Sequence, residues 1–189
     1  MAEQKITELA ELTTIDDADL LAVVDDVAGT PTTKKIMYSN LVSTKEYASF
    51  YLTTGGLTGV SNTATTLIIN NTGINSNEAV FTLASNEVTV DKTGVFEISA
   101  NVYFNNSSGS RSEYSKWIEV DTGTGYTEVP GSRFVTYQRG YDSGQSASIS
   151  LIMNVTSGDK FRLRVQRTAG GATTGYQDAD GTRFNFKEL

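Results

Sequence analysis

An all-β fold, two antiparallel sheets packed face to face, is what this sequence predicts, and three observations predict it. From residue 47 onward, runs rich in Thr, Val, Ile, Phe and Tyr recur between clusters of Gly, Asn, Ser and Asp. Within the longer runs apolar and polar residues alternate, the period of a strand with one buried face. Apolar residues make up only 38% of the 189-residue chain, beside 17 glycines and two prolines. That balance fits a loop-rich sandwich and excludes a Pro-rich linker or stalk.

The first 46 residues stand apart. They carry nine acidic residues against four lysines, while the remainder is close to balanced, an asymmetry that marks a separate segment. Their apolar residues include Ile6, Leu9, Leu12, Ile15, Leu20, Leu21, Val23, Val24, Ile36 and Leu41. The spacing of three from Ile6 to Ile15 is too tight for a helical stripe, and the interleaved Thr and Asp favour turns. Residues 20–24 read as a short strand, Gly29-Thr30-Pro31 as a turn, and 34–38 as a second strand. Ser39 and Asn40 cap a brief helix over 41–47. So small a piece buries little apolar surface alone, so it is expected to need a partner surface, its symmetry mates or another protein.

The sandwich begins with a strand over 48–53, followed by a Gly/Thr/Ser-rich stretch at 54–66. A strand at 67–69 and a turn at 70–73 come next, then strands at 80–83 and 88–90. Asp91-Lys92-Thr93-Gly94 turns the chain into a long strand, 95–104. Here Phe96, Ile98, Ala100, Val102 and Phe104 share one face, and Glu97, Ser99 and Asn101 the other. Further strands are expected at 113–120, 133–139, 145–155, 160–166 and 182–187. Alternation returns in Ala147-Ile149-Leu151-Met153-Val155, in Phe161-Leu163-Val165 and in Phe184-Phe186. One apolar face per strand means two packed antiparallel sheets.

Composition narrows the chemistry. The chain has neither cysteine nor histidine, which removes disulfides, thiolate nucleophiles, the commonest zinc ligands and the commonest general base. Ser–His and Cys–His machinery cannot be built within one chain. A net charge of −7 and a pI near 4.6 speak against a nucleic-acid surface, which needs a basic stripe. Residues 1–9 lack a basic start followed by an apolar core, so no signal peptide is expected. No apolar run approaches the roughly 20 residues of a membrane-spanning helix, so no membrane insertion is expected.

Three stretches together resemble the jelly-roll superfamily that includes tumour necrosis factor (TNF) and the globular head of the complement first component. They are Val88-Thr89-Val90 through Gly94 and Phe96 to Phe104, the hairpin from Ser148 to Val165 with its Gly158-Asp159 turn, and Thr182-Arg183-Phe184-Asn185-Phe186-Lys187. The resemblance covers residues 47–189 and implies a TNF-like jelly roll. It also implies a homotrimer with aromatics around a three-fold axis. Tyr103, Phe184, Phe186, Phe50 and Tyr51 are the candidates for that axis; the alternative place for each is the core of a single sandwich.

Residues 1–46 carry a second resemblance. Lys5-Ile6-Thr7-Glu8-Leu9, the run from Ile15 to Asp25, Thr33-Lys34-Lys35-Ile36 and Ser39-Asn40-Leu41 look like the leader of many tailed-phage structural proteins. It implies a protein made in the host cytoplasm and located on the virion, held there by a capsid or tail protein through residues 1–46. Anchoring then falls to Ile6, Leu9, Leu12, Ile15, Leu20, Val23, Val24, Ile36 and Leu41.

Other constellations are weaker. Asp178 and Asp180 are spaced as carboxylate ligands around a turn, so Ca²⁺ is the one cation considered; the alternative is an ordinary loop between the last two strands. No other cofactor is expected. Asp16, Asp17 and Asp19 lack the ligand pattern of a calcium loop and read as a solvated acidic turn. Carboxylates are the only general acid/base candidates; Glu113, Glu119, Asp121 and Glu128 lie in one region and offer a glycosidase-like pair, the alternative being strand residues that face water. Trp117, Tyr126, Tyr137, Arg139, Tyr141, Arg167 and Tyr176 are the residue types of recognition surfaces, and equally of trimer rims. The functional expectation is a non-enzymatic, homotrimeric head fibre or capsid-decoration protein that displays its jelly roll for surface or host attachment. The rival readings are the receptor-binding tip of a tail fibre and a polysaccharide depolymerase.

Overall fold

The structure, a computed structural model, describes residues 20–25, 32–37, 45–106, 110–140, 144–171, 175–177 and 179–189. The chain divides into two compact units, Met1–Thr44 and Lys45–Leu189. In the first, β1 (Leu20–Asp25) and β2 (Thr32–Met37) form an antiparallel hairpin in continuous register from Leu20 opposite Met37 to Asp25 opposite Thr32. Val and Ile suit such a ribbon, but two strands alone are marginal in water.

The second unit holds the remaining strands: β3 (Tyr47–Tyr51), β4 (Thr65–Thr66), β5 (Asn71–Asn75), β6 (Phe81–Ala84), β7 (Glu87–Val90) and β8 (Gly94–Asn106). They continue as β9 (Ser112–Asp121), β10 (Tyr126–Glu128), β11 (Phe134–Gln138), β12 (Gln145–Val155), β13 (Asp159–Gly170), β14 (Gly175–Gln177) and β15 (Arg183–Glu188). One sheet runs β12-β8-β15-β3-β5, with β14 joined to the end of β8. The other runs β10-β9-β13-β7-β6, with β11 on β9 and β4 on β13. These are the two antiparallel sheets of a TNF-like jelly roll. Among the described residues no helix is long and apolar enough to cross a membrane.

The alternation read in the sequence sets the core. Phe96, Ile98, Ala100, Val102 and Phe104 of β8 all face inward and are buried. In the lower half the core is aromatic. Phe186 of β15 contacts Phe50, Phe81, Phe161 and Phe184, at ring-centroid distances of 6.3, 6.1, 5.5 and 4.7 Å. Towards the other end the interior turns polar: Asn106, Ser112, Lys116, Thr136, Gln138, Gln177 and Thr182 are all buried.

Gln177 shows how that polarity is satisfied. Its side-chain amide donates to the Ile68 carbonyl (2.7 Å) and accepts from the Ile68 N–H (2.9 Å), so it pairs with the backbone as another strand would. Gly56 packs against the Gln177 carbonyl, where a Cβ would overlap the oxygen. In the β6–β7 turn, Ser85 and Asn86 take positive φ, and the Asn86 side chain accepts from the Ile69 N–H (3.2 Å).

The two ends of the unit differ. Lys45 and Leu189 lie side by side at the base, where the Lys45 ammonium donates to the Leu189 carbonyl (2.6 Å). Glu46 and Glu188 exchange bonds there, and Lys92 pairs with Glu188 at 2.8 Å. The last residues of β8, β11 and β13 lie at the opposite, distal end.

Several expectations are corrected. The strand expected at 67–69 begins earlier, as β4, and continues past it through one bond, Leu67 N–H to Leu163 C=O (2.9 Å). The turn expected at 70–73 is instead the start of edge strand β5, where Asn and Gly are tolerated because only β3 pairs with it. Tyr47, assigned to a helix end, opens β3, and Lys45 and Glu46 before it are not helical; residues 41–44 of that expected helix lie outside the described residues. Strands β10 and β14, three residues each, were too short to register as periodic.

Phe186 is expected to be the costliest single truncation. Phe186→Ala should lower the unfolding free energy by about 3–5 kcal/mol, because it leaves a cavity bordered by four rings. Urea denaturation of the purified chain measures it; a loss below about 1 kcal/mol would mean that the rings collapse without their hub.

Candidate association and recognition faces

The sandwich presents two outer faces of opposite chemistry, and each follows from the out-of-phase residues of its strands. On the six-stranded sheet the registers align rows across β12, β8, β15 and β3. One row is Ser150, Ser99, Asn185 and Ser49; the next is Ser148, Asn101, Arg183 and Tyr51. Ser49 donates to Asn185 (2.7 Å), Asn185 to Ser99 (3.2 Å), and Ser148 to Asn101 (2.8 Å). Short side chains along this row leave a shallow depression of about 420 Å³. Around it stand large apolar residues open to solvent: Tyr47 at 50% exposure, Ile74 at 61%, Val95 at 42% and Ile152 at 67%.

At the distal end of this face the Tyr103 ring lies against Gly144 and Gly181, where added Cβ atoms would strike it. The flank is formed by β12. It pairs with β8 without a bulge from Gln145 opposite Phe104 to Val155 opposite Gly94, and it carries no charge and no proline. Its inward residues Ile149, Leu151 and Met153 are only partly buried. Long, uncharged edges of this kind are templates for another chain where nothing covers them, and here β11 of the other sheet lies beside part of the strand.

The outer face of the seven-stranded sheet is charged and internally paired. Glu119 of β9 accepts from the Trp117 indole (3.0 Å) and from Arg162 (2.8 Å), with Arg164 at 3.4 Å. The Arg133 guanidinium lies 4.1 Å from the centre of the Trp117 ring and pairs with Glu128. Arg162 lies 3.5 Å from the Tyr126 ring centre and 3.5 Å from Glu87. Burial and the Glu87 carboxylate push the Tyr126 phenol well above its ordinary range. Guanidinium–aromatic stacking of this sort holds side chains in place and leaves few ends free.

The sequence-predicted residues divide accordingly. Tyr51 and Tyr103 lie on the outer face of the six-stranded sheet. Phe50, Phe184 and Phe186, also named for the trimer axis, are at most 1% exposed inside one sandwich, so their rings cannot line an axis between copies. Trp117 and Tyr126 are tied into the charged network rather than offered from loops. Tyr137 is 41% exposed beside Val135 on β11, Arg139 follows that strand exposed, and the Arg167 N–H bonds Ser61 (2.9 Å). Tyr141 and Asp178 lie outside the described residues, as do the side chains of Tyr176 and Asp180; Ala179–Gly181 is a 3-10 turn. Leu20, Val23 and Val24 belong to β1 and Ile36 to β2, while Ile6, Leu9, Leu12, Ile15 and Leu41 lie outside the described residues.

The four carboxylates are also placed. Glu119 and Glu128 are paired with arginines, and Glu113 accepts from the Thr168 hydroxyl. Asp121 accepts backbone N–H groups of Gly125 and Gly123 (2.8 Å each), which hold its carboxyl below the usual range. Sequence reasoning missed the exposed Tyr47, Ile74, Val95 and Ile152. A signal existed at one of them: in Leu151-Ile152-Met153 the middle residue is apolar in the outward phase.

No protein-family model and no curated protein sequence matches this chain. Its fold is nevertheless shared with solved structures. Murine APRIL at pH 8.0 superposes with a TM-score of 0.56 at 12% identity, covering 77% of this chain and all of that one. The Eiger TNF of S. frugiperda gives 0.53 at 16% identity, covering 78% and 94%. Both are TNF-family jelly rolls, and at such identities the likeness is one of fold.

Because Glu119 collects three donors with little exposure, Glu119→Gln should cost roughly 1–2 kcal/mol of stability. Thermal and urea unfolding read this; an unchanged midpoint would make the network ornamental.

Proposed function

We propose that this chain is a homotrimeric display protein: the jelly roll associates through the outer face of its six-stranded sheet, and residues 1–46 tether it to a larger particle. One observation carries the association. The Ser/Asn-rich face, whose charges are Glu97, Arg183 and Lys187, and the uncharged β12 flank both expose apolar side chains, whereas the opposite face is covered by paired charges. A face and a flank are different surfaces, so the contact is heterologous, flank of one copy on face of the next. Such contacts close into a ring or run on as a filament, and the TNF-like fold supports closure at three.

The tether rests on separate support. A β1–β2 ribbon rich in Leu, Val and Ile needs another surface to cover it, and the leader's resemblance to tailed-phage structural proteins makes that surface a virion's. A head fibre or decoration protein is the form this takes, the distal loops facing outward for attachment.

Light scattering at micromolar concentration is expected to give three chains per particle. Ile152→Lys combined with Ser99→Arg should return a monomer with unchanged circular dichroism. A wild-type monomer overturns the association. Deleting residues 1–44 should leave the trimer intact and abolish its incorporation into particles; undiminished incorporation overturns the tether.

A further inference from the structure

Lys116 sits where a lysine is least expected. It lies on β9 in the inward phase, fully buried, opposite Phe134 of β11 on one side and Val165 of β13 on the other. Its ammonium nitrogen donates to the Thr136 hydroxyl and lies 5.4 Å from the centre of the Phe104 ring and 5.9 Å from that of Phe134. The groups around it are therefore Phe104 from β8, Tyr114 on its own strand, Phe134 and Thr136 from β11, and Val165 from β13. Tyr114 is the one titratable group among them. No carboxylate pairs with Lys116 among the described residues.

The lid over this amine is slight. Strand β11 has five residues, hydrogen-bonds to β9 alone, lies beside β12, which carries no titratable group, and shows its outer residues Val135 and Tyr137 to solvent. Its inner Gln138 is held by one bond to the Phe104 carbonyl, and its Oε1 has no hydrogen-bond partner among the described residues. An edge strand with few bonds and an unsatisfied interior is drawn from the low-stability end of a fold.

We propose that β11, with the facing end of β9, is a proton-operated flap that opens when the Lys116 amine is protonated and reseals when it is neutral. The closed flap removes the amine from water and offers it one hydroxyl and two ring faces; the open flap returns it to solvent. Burial holds the closed-state pKa near 7, against about 10.4 in water. The open state thus binds the proton more tightly. Each unit of falling pH between about 10 and 7 raises the open fraction about tenfold. Below about pH 6.5 both states are protonated and the dependence ends. The inference concerns a single sandwich and does not rest on its assembly state.

Hydrogen exchange read by mass spectrometry on the full chain, corrected for intrinsic rates, tests it. Between pH 9 and pH 6, protection across residues 133–138 should fall about a hundredfold and then level off, while β3 and β15 keep theirs. Lys116→Met should flatten the profile. If that variant does not fold, the Lys116 ¹³Cε resonance of the wild-type chain decides, with a midpoint expected near pH 7. Constant protection across residues 133–138, a midpoint near pH 10, or a pH profile unchanged in Lys116→Met overturns the proposal.

Discussion

Phe186 is the point at which the two sheets of the jelly roll meet. It belongs to β15, the central strand of the six-stranded sheet, and touches rings from β3, β6, β13 and its own strand. Edge-on and tilted contacts between rings add to the area they bury. With the base packed this way, β8 and β15 are fixed between their neighbours, and every outward residue of those strands inherits its place from the phase of the inward ones. The Ser/Asn-rich face, with Glu97, Arg183 and Lys187 on it, is a direct product of that phase.

The core does not keep this character along its length. Above Ile98 and Leu163, the rings of Phe104 and Tyr114 share the interior with Asn106, Ser112, Lys116, Thr136 and Gln138. Buried polar groups hold a structure together only when fully satisfied, and are liabilities when partly satisfied. Gln177, with both amide ends bonded to Ile68, belongs to the first kind; Gln138, with an unmet oxygen, belongs to the second. The sandwich thus has an aromatic hub near its base, closed below by the Glu188–Lys92 pair, and a more polar distal half.

How much of this was legible in the sequence depended on whether a residue's environment was set by its own strand. The alternation in β8, β13 and β15 placed their inward residues correctly, Phe186 included. Failures came where distant strands decide. In β9 a lysine lies in the apolar phase and a tryptophan in the polar one, because β11 roofs Lys116 while Arg133 covers Trp117 from outside. Those partners are some 20 residues away and invisible to local periodicity. For Phe50, Phe184 and Phe186, alternation gives an inward face without saying whether inward means one chain or three. The β5 error has the same origin: Asn and Gly read as a turn, but an edge beside β3 tolerates them.

Lys45 and Leu189 share the base of the sandwich, and this gives the domain a direction of mechanical strength. A load entering at Lys45 and resisted at the distal loops runs along the axis of β3. It shears the hydrogen bonds to β15 and β5 together, so many must fail at once. The same load applied between Lys45 and Leu189 would part β3 from β15 like a zipper, one bond at a time. A particle that held this sandwich by the segment before Lys45 would be pulling on it along its strong axis.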